Sequence, residues 1–261
     1  MRVPKFLLLV CGVVYILGTA IIFAQQAPSP RQIRIAAAAD LQPVMPVLQE
    51  AYKHATGVDL IVSFGSSATL ATQILNGQPV DLFLGADFTF PEKIVAAGLA
   101  DTKSPIAYAK GTLVLWARKD SPFQPLHLEV LSDPRLQSVA IANEAHAPYG
   151  RAAAASLRYL QLYDKLQPRL KIAENISQTA QFVESGNAQV GLISLTAAST
   201  EHFRQLGSYV LLPSVTYPPL LQYGVILKAS PSRSNAHAFM DWLTSPAIQV
   251  NLTKMGLAPV N

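Results

Sequence analysis

The chain has 261 residues, half of them apolar and 14% charged, with a formal charge of +4. Two of its positive charges, Arg2 and Lys5, lie in the first 24 residues beside no acid, so the remainder carries only +2; it has no Lys/Arg run, which argues against a nucleic-acid-binding face. The single cysteine, Cys11, sits in the same leader, which leaves residues 25–261 without disulfides or thiolate metal sites and makes their fold depend on its core alone.

Behind Arg2 and Lys5, residues 6–23 are apolar and uncharged, the layout of an export signal. Ala24 is small enough to precede a cleavage point. The run also approaches the length of a spanning helix, so an uncleaved membrane tether is the alternative to a cleaved signal. Leu9 and Val10 precede Cys11 deep inside the run, where it reads as filler rather than a lipid attachment point. Residues 25–31, with Pro28 and Pro30, form a short tether. The about 235 residues beyond the signal suffice for two modest α/β lobes.

Residues 32–38 read as a buried strand, and 41–56 as a helix with Val44, Val47, Leu48 and Ala51 on one face. The unit repeats with a strand at 58–63, a helix at 67–75, Gly77 and Pro79 as breakers, and a strand at 80–85. A helix near 91–97, stopped by Gly98, leads to an apolar strand at 112–117. The same grammar then restarts: strands at 138–142, 170–173 and 189–195 alternate with helices at 150–162 and 177–185. A strand at 222–227 and helices at 234–243 and 247–255 close the chain. Such alternation predicts parallel-rich sheets covered by helices. The closing segment is too short for a third lobe. Packed back on the first, it gives lobe 1 as residues 32–111 plus 218–261, lobe 2 as 112–217, and a two-strand hinge near Gly111 and Pro218.

In open α/β sheets ligands sit beyond the carboxyl ends of the strands, where helix N-termini present unpaired N–H groups. Four junctions qualify, two per lobe: Ala38-Ala39-Asp40, Gly65-Ser66-Ser67-Ala68-Thr69, Ala147-Pro148-Tyr149-Gly150 and Glu174-Asn175-Ile176-Ser177. Each helix N-terminus carries about half a positive charge, so several converging on one point hold a dianion without Lys or Arg. Taken singly, Ser67, Asp40 and Asn175 are ordinary helix caps and Gly65 and Gly150 ordinary turn glycines; only the set, split between two lobes, points to a site.

The run Ser63-Phe64-Gly65-Ser66-Ser67-Ala68-Thr69-Leu70-Ala71, followed by Pro79-Val80-Asp81-Leu82-Phe83-Leu84-Gly85-Ala86-Asp87, resembles the periplasmic molybdate-binding proteins. Leu113-Val114-Leu115-Trp116, Ala147-Pro148-Tyr149-Gly150 and Val190-Gly191-Leu192-Ile193-Ser194 follow in that family's order, and the likeness runs from Gln32 to Pro259. It implies a type II periplasmic-binding-protein fold of two lobes, and a molybdate or tungstate ion captured between them by neutral donors for the membrane permease of an ABC importer. It further implies a periplasmic, monomeric binding protein rather than an enzyme, with no cofactor and with metal entering only inside the oxyanion. By the resemblance Ser67 gives hydroxyl and backbone N–H to the anion, Tyr149 and Ile176 give backbone N–H, and Ala39 and Asp40 form the first-strand junction, where relatives place a Ser or a Thr-Asn pair. Ser66 is a secondary candidate. So is Ser194, which stands where many relatives have a cleft tyrosine.

Asp40 is the departure that matters. A carboxylate about 5 Å from a dianion costs several kcal/mol even at an effective dielectric of about 20. The expectation is that Asp40 caps its helix with the carboxylate turned to backbone N–H groups. His146 reads as a solvated side chain. Asp81 and Asp87 read as turn and hinge groups rather than a metal site. The rival functions are capture of another oxyanion, such as sulfate or phosphate, and a periplasmic hydrolase using Ser67 or Asp40 with His146.

Overall fold

The alternating pattern resolves into two five-stranded sheets in the computed structural model, which describes residues 32–260. The expected export signal and tether lie outside the described residues. The strands are β1 (Gln32–Ala38), β2 (Asp59–Gly65), β3 (Leu82–Gly85), β4 (Ile106–Gly111), β5 (Leu113–Arg118), β6 (Val139–Ala142), β7 (Leu170–Ala173), β8 (Val190–Ser194), β9 (Gly207–Leu211) and β10 (Leu220–Ile226). The helices are α1 (Met45–Thr56), α2 (Ser67–Leu75), α3 (Thr89–Ala96), α4 (Pro148–Tyr159), α5 (Tyr163–Leu166), α6 (Ile176–Glu184), α7 (Leu195–Ala198), α8 (Glu201–Leu206), α9 (Arg233–Thr244) and α10 (Pro246–Lys254).

The first sheet runs β2-β1-β3-β10-β4 and the second β7-β6-β8-β5-β9. In the first, β1 is parallel to β2 and β3, while β10 is antiparallel to β3 and β4. The second repeats the scheme: β6 is parallel to β7 and β8, and β5 is antiparallel to β8 and β9. The expected parallel-rich sheets are therefore mixed. The strand–helix–strand units do pair in parallel. The antiparallel half comes from β5 and β10, the strands adjoining the two passages between sheets, which no crossover helix brings into line. The chain crosses at Thr112, between β4 and β5, and again over residues 212–219, between β9 and β10.

The helix α1 corrects one expected face. Val44 and Leu48 are buried, but Val47 is 56% exposed, and the inward stripe is Met45, Leu48 and Tyr52. Tyr52 decides it: its ring lies 5.0 Å from those of both Phe239 and Trp242 on α9. The helix ends where Gly57 takes φ 73°, a left-handed conformation that glycine adopts without a Cβ penalty. One core packs α1, α9 and α10 against β1 and β3; another gathers β5, β6, β8 and α4.

Candidate functional site

All four junctions meet in one small cleft between the sheets. The first sheet contributes residues 38–40, 65–67 and Ala86; the second contributes 147–149 and 175–176. Ala39, Asp40, Ser66, Ser67, Tyr149 and Ile176 therefore stand together as expected, and among the described residues no Lys, Arg or His lines the cleft.

The helix ends show which donors remain for a ligand. At α2 the Ser66 hydroxyl accepts from Thr69 N–H (3.2 Å), and Ala68 N–H crosses to the His146 carbonyl (3.1 Å), which leaves Ser67 N–H. At α4 Pro148 has no N–H and Arg151 N–H returns to the Ala147 carbonyl (3.0 Å), leaving Tyr149 and Gly150. At α6 the Asn175 side chain accepts from Gln178 N–H (3.0 Å) and its carbonyl from Thr179 N–H (3.0 Å), leaving Ile176 and Ser177. Ser67 is buried, and its Oγ accepts from Ala86 N–H at 3.1 Å. With a lone pair so engaged, its own proton is free to point at a ligand.

Three expectations change. Ser66 lines the cleft, but its hydroxyl caps α2 and donates to Thr69 Oγ1 (2.7 Å). Ser194 lines a neighbouring cavity with Gln42 and Ser177, where its hydroxyl caps α7 and lies 2.8 Å from the Thr196 hydroxyl. Asp40 does not cap. It lies inside a short 3-10 turn, Ala39–Leu41, that has no side-chain cap. Its Oδ2 accepts instead from the Tyr149 hydroxyl (3.2 Å) and from the Gln222 side-chain amide, while Oδ1 has no donor. Burial pushes its carboxyl up to about 7, against the lowering effect of the bonds from Gln222 and Tyr149.

Other polar contacts join the lobes around the cleft. Ser177 donates to Gln42 (2.7 Å), Thr69 to Glu174 (3.1 Å), and Thr196 to the Asp40 carbonyl (2.7 Å). Arg151 faces away from the cleft lining to pair with Asp87, its guanidinium 5.2 Å from the Phe90 ring centre. Asp81 serves Arg34 and Ser230 in the first lobe, and the half-exposed His146 ring lies 3.8 Å from Glu174. Gln222 and the Tyr149 hydroxyl carry no sequence signal for these roles, since their partner Asp40 is 182 and 109 positions away respectively.

The sequence model of the bacterial extracellular solute-binding proteins matches residues 33–258. The chain belongs to this family. Among solute-binding relatives, the molybdate-binding protein ModA of Rhodobacter capsulatus is 35% identical over 205 residues, 78% of this chain and 79% of its own. ModA of Azotobacter vinelandii is 33% identical over 220 residues, 84% of this chain and 87% of its own. The solved periplasmic molybdate-binding protein of Azotobacter vinelandii superposes with a TM-score of 0.80 at 30% identity, covering 88% of this chain and all of that one. These relatives are binding proteins, and the two-sheet architecture of this solute-binding chain is theirs.

Proposed function

We propose that this chain captures molybdate, or the similarly shaped tungstate, between its lobes and presents it to the permease of an ABC importer. The observation that carries the reading is the convergence of four main-chain junctions and the Ser67 hydroxyl on a cleft without cations. Neutral, preorganised N–H groups at helix N-termini suit a compact dianion. The donors are Ser67 through hydroxyl and N–H, the N–H groups of Tyr149 and Ile176, and the main chain at Ala39 and Asp40. The protein acts as an exported monomer without cofactor or covalent chemistry. The hydrolase reading loses support because no histidine lines the cleft and the Ser67 oxygen already accepts from a backbone N–H.

Discrimination follows from size and hydrogen-bond polarity. A singly protonated phosphate must donate, and a ring of donors gives it no acceptor. Sulfate is smaller than molybdate and spans fewer of the donors. A ligand that binds only the folded chain raises its melting temperature in proportion to ln(1 + [L]/Kd). In a thermal-shift panel, molybdate and tungstate should act at micromolar concentration and sulfate and phosphate only at millimolar. An equal shift from sulfate would overturn the specificity.

Closure adds a second expectation. The Arg151–Asp87 pair joins α4, which carries Tyr149, to the segment preceding α3. It does not line the cleft, so Arg151→Ala should leave the association rate of molybdate near native and speed dissociation by about tenfold, the effect of losing a partly buried charged bond. Stopped-flow kinetics reads both rates. An unchanged dissociation rate would deny the pair any part in holding the lobes shut.

A further inference from the structure

Asp40 is an acid in an unusual position. It is 1% exposed, and both of its donors, Tyr149 Oη and Gln222 Nε2, address the same oxygen. Its other oxygen is buried without a partner. An ionised carboxylate uses both oxygens as acceptors, and leaving one dry costs far more than leaving a neutral hydroxyl so. The pattern fits a carboxylic acid, with Oδ2 as its carbonyl oxygen and the proton on Oδ1.

The groups facing Asp40 offset its burial only in part: the bonds from Gln222 and Tyr149 favour a negative charge, and burial outweighs them. Tyr149 reaches it from α4 and Gln222 from β10, and Tyr108 on β4 stands close enough to feel its charge. Tyr108 gives its hydroxyl proton to the Gly85 carbonyl (3.2 Å), and Tyr217, beside Tyr149, accepts from Leu113 N–H (3.2 Å). Burial holds the phenols of Tyr108 and Tyr149 well above their usual range, so both stay neutral. Among the described residues no Lys, Arg or His bears on the carboxyl.

We propose that Asp40 is a positioning residue that works as a neutral acid: it fixes Tyr149 across the closed cleft, and capture of a dianion loads it with a proton. The inference rests on the oxyanion reading of the cleft. Asp40 is itself one of the residues lining that cleft, so an anion in place opposes a charge on its carboxyl. The free chain already holds this group at about 7 when closed, and opening wets it and lowers it toward 3.8. Bound anion raises it further. Affinity is therefore full below the free-chain value and falls, by up to about tenfold per pH unit, as pH rises from there to the value in the complex.

Calorimetric titration of the full chain with sodium molybdate at pH 7.5, in two buffers of different ionisation enthalpy, tests this. The apparent enthalpy should differ between buffers by an amount equivalent to more than half a proton taken up per anion, molybdate itself being unprotonated at this pH. Asp40→Asn keeps an acceptor for Tyr149 and cannot titrate, so it should bind at least as tightly as native at pH 8 with no buffer dependence and a flat pH profile. Asp40→Ala, which strands the Tyr149 hydroxyl, should bind at least tenfold more weakly at every pH. Native binding without proton uptake would overturn this inference and leave the molybdate reading standing. A loss of affinity in Asp40→Asn equal to that in Asp40→Ala would also overturn it, by showing that the charge is needed. No heat with molybdate in any variant would overturn both.

Discussion

Gly150→Ala should lower both stability and molybdate affinity. A Cβ at this position would sit 2.6 Å from the Asn143 carbonyl oxygen and 2.7 Å from its carbon, and it would press on the Ala142 carbonyl as well. These are backbone atoms at the end of β6 and cannot rotate away. The N-terminus of α4 must lift off the strand, an overpacking that typically costs about 1–3 kcal/mol. At about 2–4 °C per kcal/mol for a chain of this size, the melting temperature should fall by several degrees. The same lift displaces the N–H groups of Tyr149 and Gly150. A hydrogen bond to a charged group is worth about 1.5–3 kcal/mol, so losing one should raise Kd for molybdate by about 10- to 150-fold. Melting and calorimetry measure the two effects separately. Native values of both would mean that the close approach of α4 to β6 is unimportant to the site.

The close approach also shows how a turn glycine becomes a site residue. In the sequence, Gly150 is one of several glycines beside a helix start, and nothing local sets it apart. Its constraint comes from β6, which ends against it. By contrast β1, α2 and β7 fall where their apolar runs and flanking caps predict, because each is specified by neighbours a few positions away. The face of α1 was not legible, since residues 44–52 satisfy two overlapping apolar stripes and the rings of Phe239 and Trp242 choose between them. The edge strands β4 and β9 escape the pattern for a related reason. On β4 Lys110 stands exposed, and on β9 Tyr209 and Leu211 do, so neither strand reads as a buried run.

The candidate site divides along the same line. Helix N-termini announce themselves through short polar residues, so the junctions that hold Ser67, Tyr149 and Ile176 are legible in the sequence. Side-chain direction is not. Ser194 has the right residue type but turns to Thr196, and Asp40 turns to Gln222 on a strand near the other end of the chain. A carboxylate beside an anion site looks, in sequence, like an objection to the ligand. Buried against phenols and an amide, it becomes a group that need not carry a charge.

Ser67→Ala separates the bond that this hydroxyl makes from the role that the proposed site gives it. Its oxygen accepts from the N–H of Ala86, which is 1% exposed, and its proton remains for the anion. Without the hydroxyl, Ala86 N–H is a buried donor with no acceptor, a loss of about 1–3 kcal/mol that is present whether or not the ligand is bound. The melting temperature of the ligand-free chain should therefore fall by several degrees. Binding should weaken independently, because the remaining N–H groups cannot replace a donor fixed by the Ala86 bond. The expected loss is again about 1–3 kcal/mol, or about 5- to 150-fold in Kd. Calorimetric titration with molybdate, well below the lowered melting temperature, reads the second effect without the first. A reduced melting temperature with a native dissociation constant would leave Ser67 as no more than the acceptor that holds Ala86, and would remove its hydroxyl from the site.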